Sequence, residues 1–132
     1  MDSPGLFTLA ALQINVALSA QVQTPIDGLD GMEAATIEAA FGYGSGGTSC
    51  TAVVQTTLDG TNWRDVARFE FATTAAVKYC NLSGLTPKGI LSLAPLGSEG
   101  VVDGFLGDAM RCVITSTGTY VGTTLAVRLS AR

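Results

Sequence analysis

Large apolar side chains recur at every second position in several stretches of this chain, the period of an extended strand whose successive residues face opposite ways. The plainest case is Leu12-Gln13-Ile14-Asn15-Val16-Ala17-Leu18-Ser19, where Leu12, Ile14, Val16 and Leu18 would share one face. Turns around Pro25 to Gly28 and Leu29 to Gly31 lead into Met32 to Phe41. There, alanine content and Asp30 ahead of Glu33 resemble a capped helix, but Ala35, Ile37, Ala39 and Phe41 alternate, and a strand is favoured. Gly42-Tyr43-Gly44-Ser45-Gly46-Gly47 reads as a flexible loop, because so many glycines have much backbone freedom to lose. It has neither the Gly-Lys-Ser/Thr ending nor the following helix that a phosphate loop needs.

Cys50 to Leu58 and Trp63 to Phe71 are β-prone runs on either side of Asp59-Gly60-Thr61-Asn62, the pattern of a β-hairpin. Its second arm would turn Asp65, Ala67, Phe69 and Phe71 one way and Arg64, Val66, Arg68 and Glu70 the other, with Phe69 and Phe71 in the core. A strand from Ala76 to Leu82 follows, then a long connection over 84–108 punctuated by Pro87, Gly89, Pro95, Gly97, Gly100 and Gly104. Connections of that length are often functional or covered by a neighbour. Two last strands, Met110 to Thr115 and Leu125 to Ser130, are expected to pair as a hairpin across Gly118 to Gly122. The pattern predicts an all-β, single-domain antiparallel β-sandwich or jelly-roll-like barrel with long Gly/Pro-rich loops, spanning residues 1–132. Residues 1–10 are either an arm reaching a neighbour, through Leu6, Phe7 and Leu9, or the start of the first core strand.

With 132 residues, one core is the expectation. Apolar residues make up 47% and charged ones 14%, so the chain should fold, and part of its surface is expected to lie under a partner. A net charge of −4 with scattered cations offers no basic stripe for nucleic acid. The N-terminus has no basic leader and Leu6 to Leu18 is broken by Thr8, Gln13 and Asn15, so neither signal peptide nor membrane span is supported. Cys50, Cys80 and Cys112 have no metal-ligand spacing and read as small buried hydrophobes in a reducing cytoplasm, one disulfide remaining open.

Candidate chemistry is sparse. The chain has no histidine, which removes the usual general base and the commonest metal ligand. Asp103 and Asp108 form the one carboxylate pair on an exposed loop, better explained by turn formation. Asp59, Asn62 and Asp65 lack the ligand density of a calcium loop. Trp63 could stack on a sugar or plug a partner's pocket, against a core or rim role, and Tyr43 and Tyr120 beside glycines are further candidate contacts. No catalytic residue, metal site or cofactor is expected.

The run Val54 to Ala67 containing Leu58-Asp59-Gly60-Thr61-Asn62-Trp63, preceded by Phe41 to Thr48, resembles small virion structural proteins of tailed bacteriophages and prophages. Asp103-Gly104-Phe105-Leu106-Gly107-Asp108 and Gly118-Thr119-Tyr120 through Leu129 are similar to the same group. The resemblance implies a capsid cement or decoration protein assembled in the host cytoplasm and residing on the capsid exterior. Its partners would be the major capsid protein and further copies of itself, as a homotrimer. A tail-tube or neck subunit is the alternative within the virion, and a carbohydrate-binding sandwich using Trp63 and Tyr120 is the alternative outside it.

Overall fold

The computed structural model describes residues 5–132, an antiparallel β-sandwich of eleven strands. These are β1 (Gly5–Ile14), β2 (Gln21–Val22), β3 (Ala34–Gly42), β4 (Ser45–Gly46), β5 (Ser49–Thr57), β6 (Trp63–Phe71), β7 (Ala76–Ser83), β8 (Gly100–Val101), β9 (Ala109–Thr117), β10 (Tyr120–Val121) and β11 (Thr123–Ala131). One sheet runs β1-β11-β3-β7 and the other β2-β9-β5-β6-β8, while β4 and β10 pair separately. The inner faces meet in one apolar cluster, to which β3 gives Ala35, Ile37, Ala39 and Phe41, β6 gives Phe69 and Phe71, and β11 gives Leu125, Val127 and Leu129. The strand preferred for Ala34–Gly42 is thus present, with the alternation read from its sequence.

The structure corrects several expectations and decides between the two readings of residues 5–10. The first strand starts at Gly5 and ends at Ile14, so the alternation stops there and Val16 lies exposed in the following loop. Residues 5–10 belong to this strand, paired with β11, and residues 1–4 of the arm reading lie outside the described residues. In β6, a bulge opposite Val54/Gln55 leaves Val66 without an opposing residue and turns both Val66 and Ala67 inward.

The final two strands do not form a hairpin: β9 lies beside β5, whereas β11 lies between β1 and β3 in the other sheet. The residues between them therefore cross the sandwich. Gly42 to Thr48 crosses as well, from β3 to β5, and the two crossings run side by side as the β4–β10 pair. The glycine tract is consequently a close-packed corner and not a loose loop. At Gly47, with φ +69°, a Cβ would run into the Tyr120 ring, and at Gly44 it would meet the Val121 carbonyl oxygen. Glycine is required there because backbone and ring approach too closely for any side chain.

Candidate interaction surface

The six residues singled out by sequence divide sharply. Leu6 is 83% exposed on the outer side of β1. Phe7 is half-buried against the core, and Leu9, beside the β1 register shift, is buried in it. Tyr120 is buried too: its ring meets Phe41 edge-on at 5.7 Å and its hydroxyl donates to the Ala72 carbonyl at 2.7 Å. Tyr43 packs edge-on to Tyr120 at 6.1 Å and donates to the Gly46 carbonyl at 2.9 Å. Leu9 and Tyr120 are therefore structural residues and present no side chain to a partner in this fold. Tyr120 locks the corner, joining the β4–β10 crossings to the β6–β7 connection through Ala72.

Trp63 is half-buried at the start of β6, with the Arg111 guanidinium 4.4 Å from its ring centroid. Such stacking occupies a ring face that a sugar would need, and with Tyr120 buried, the two aromatic faces of the carbohydrate alternative are not jointly available. Arg111 also donates to Gln55 Oε1 at 2.8 Å, and Gln55 Nε2 donates to Asp65 Oδ1 at 2.8 Å. This chain of contacts spans β9, β5 and β6 on the outer face of their sheet.

It ends on the long connection. Asp65 Oδ2 accepts from the Leu96 N–H at 2.9 Å, while Arg68 donates to the Leu96 carbonyl at 3.0 Å, so the backbone of one residue of the connection is held through both of its polar groups. Three residues on, Glu99 Oε2 accepts from the Glu70 N–H at 2.9 Å and from Lys78 Nζ at 2.7 Å. At the base, Asp103 accepts from the Ser83 N–H at 2.7 Å and from Thr86 Oγ1 at 3.4 Å. The donated hydrogen bonds hold the Asp103 carboxyl below the ordinary range, the Ser83 N–H most of all, and those from Lys78 and Glu70 do the same for Glu99. Asp103 is thus committed to loop closure, and Asp108 lies apart from that role, its N–H donating to the Thr57 carbonyl.

Between these anchors, residues 84–99 form a strap without regular structure. Leu93, Ala94 and Pro95 face Val53, Val113 and Trp63 across a shallow hollow of about 270 Å³. Leu85, Ile90 and Leu91 point into solvent, Ile90 fully and Leu91 71% exposed. The strap arches over an open hollow of about 750 Å³ bounded also by Val101, Val102 and Phe105. The sequence marks this connection by its length but does not single out its exposed aliphatic residues, although a signal is present: Ile90-Leu91-Ser92-Leu93 is mostly apolar yet lies where glycines and prolines forbid a strand to bury it.

Asp59 illustrates the turn chemistry of the β5–β6 hairpin. Its Oδ1 accepts from the N–H groups of Thr61 and Asn62 and its Oδ2 from Asn62 Nδ2, which pushes its pKa down. These donors occupy both oxygens that a cation would use. Among the described residues no group of three or more acidic or cysteine side chains could hold a metal ion, and no helix is long and apolar enough to cross a membrane. The three cysteines are free, and burial raises Cys50 and Cys80 to about 11 and Cys112 to about 12. Compared with known proteins, the chain matches no family model, no curated protein and no solved structure.

Proposed function

We propose that this chain is a virion structural subunit of the capsid cement type, which binds the outer surface of the major capsid shell and stabilises it by bridging neighbouring capsomers. The observation that carries the reading is the strap: aliphatic side chains at Leu85, Ile90 and Leu91 held out in water by a segment tied to the sandwich at both ends. A monomeric protein working alone gains nothing from such an arrangement, whereas a docking element gains a preformed apolar surface with its ordering entropy already met. Burying each of these side chains contributes about 1.5–3 kcal/mol. That is modest per subunit and large over a symmetric shell. A formal charge of −4 without a basic face supports a protein partner over a nucleic-acid one.

Particles assembled with and without the chain, imaged by electron cryomicroscopy and heated until their genome escapes, test the proposal. Density at repeated positions on the shell exterior and earlier genome release from particles lacking the chain are expected. Density confined to the tail or neck, or equal heat resistance of the two particles, would overturn it.

A further inference from the structure

The sandwich has four sheet edges, and they are not equivalent. β2 and β8 are two residues long, too short to template another strand. β1 is long, but its register shifts between Thr8 and Ala10, a bulge of the kind that blunts an edge. β7 is different: it pairs with β3 over Ala76 to Ser83 in unbroken register, and β3 is its only neighbour in the sheet.

The parity of its backbone follows from two hydrogen bonds at its end. The Gly84 N–H donates back to Glu33, just before β3, whereas the Ser83 N–H faces away and donates to Asp103. Antiparallel pairing alternates this direction residue by residue, so the N–H and C=O groups of Val77, Tyr79 and Asn81 face outward along the open edge. Their side chains also lie on the solvent side, Val77 67% and Tyr79 76% exposed. The one charge on the strand, Lys78, is turned across to Glu99 and to the Glu70 carbonyl. The edge is thus long and regular, its outward-facing residues Val77, Tyr79 and Asn81 carry no charge, and beside it stands an open groove of about 410 Å³ lined by Val77, Tyr79, Cys80 and Val101 together with Arg68, Lys78 and Glu99, whose charges are paired.

We infer that β7 pairs antiparallel with β7 of a second copy about a two-fold axis at Tyr79, joining two four-stranded sheets into one of eight strands. A second copy is the occupant because the edge is complementary to itself. With Tyr79 opposite Tyr79, each Val77 falls opposite the other chain's Asn81, so all three outward-facing residues of each chain oppose one another. Three opposed pairs exchanging two bonds each give about six backbone hydrogen bonds. Two facing tyrosines form a favourable cross-strand pair. Two chains of net charge −4 also meet here where neither carries an unpaired charge, and the Asp103 carboxylate on Ser83 limits how far pairing can run. The inference stands apart from the capsid proposal, since it concerns the isolated protein.

Analytical ultracentrifugation of the full chain, with backbone hydrogen exchange measured at low and high protein concentration, tests it. The wild type should form a dimer, and the amides of Val77, Tyr79 and Asn81 should become protected as concentration rises. Tyr79→Pro removes an N–H that faces away from β3, so the sheet ladder is kept while pairing is lost. Tyr79→Lys sets two cations opposite each other and should weaken the dimer by roughly tenfold or more. A wild type that stays monomeric at high concentration, a dimer unaffected by Tyr79→Lys, or concentration-dependent protection in β1 and not in β7 would overturn the inference.

Discussion

Thr56 is fully buried, yet its hydroxyl is satisfied twice, donating to the Ala109 carbonyl at 2.8 Å and accepting from the Gly107 N–H at 2.9 Å. Thr56→Val keeps the shape and strands both partners, which should cost about 1–3 kcal/mol in chemical denaturation. A change below a few tenths would show that water replaces the lost bonds. The corner glycines invite a paired comparison. Gly47→Ala and Gly60→Ala both place a side chain at positive φ, but only the former meets an aromatic ring, the surroundings of Gly60 being open. Gly60→Ala should cost about 1–2 kcal/mol and Gly47→Ala clearly more, and equal losses would contradict the close packing described here. For the thiols, pKa values of about 11 for Cys50 and Cys80 and about 12 for Cys112 leave on the order of 100-fold and 1,000-fold less thiolate at pH 8, respectively, than a free cysteine has. Disulfide-exchange reagents should therefore label the native protein slowly and all three cysteines rapidly after denaturation.

At the scale of elements, the strap depends on carboxylates. Because hydrogen bonds depress Glu99 and Asp103 in the folded protein, their contribution is complete above the ordinary carboxylate values of 4.5 and 3.8 and is lost as the pH falls through the depressed ones. Limited proteolysis should accordingly show cleavage within 84–99 rising below about pH 4 while β3, β5 and β11 stay protected; cleavage that ignores pH would contradict this anchoring. Much of the element structure is legible in sequence where a strand is amphipathic. Ala35 to Phe41 and Phe69 with Phe71 declare their inner faces because one side is core and the other is not. Pairing is another matter. Alternation states that β9 and β11 are strands, and nothing local states that they lie in different sheets; the deciding contact is Tyr120 against Phe41 and Ala72, far away in the chain. The same blindness made Tyr43 and Tyr120 look like surface residues. Glycine neighbours usually signal a loop, and here they make room for a ring. The strap anchors escaped notice for a related reason: Asp65, Arg68 and Glu99 become a clamp only once β6 and residue 96 are side by side.

Taken as a whole molecule, the sandwich sorts its surface into regions with different roles. The corner with β4 and β10 is sealed by aromatic packing, the outer face of the β5 sheet is covered in part by the strap, and apolar side chains emerge on the strap and along β7. The residues that pack the core are therefore distinct from the exposed apolar residues to which the proposals assign association. The most direct measurement is the binding of purified chain to shells stripped of it, comparing wild type with the double variant Ile90→Ser/Leu91→Ser. Both residues are exposed, so the double variant should unfold at the wild-type temperature and lose binding by a factor of roughly 100 or more, equivalent to about 3 kcal/mol of lost apolar burial. Undiminished binding by a variant that folds as the wild type does would contradict the strap as the docking element.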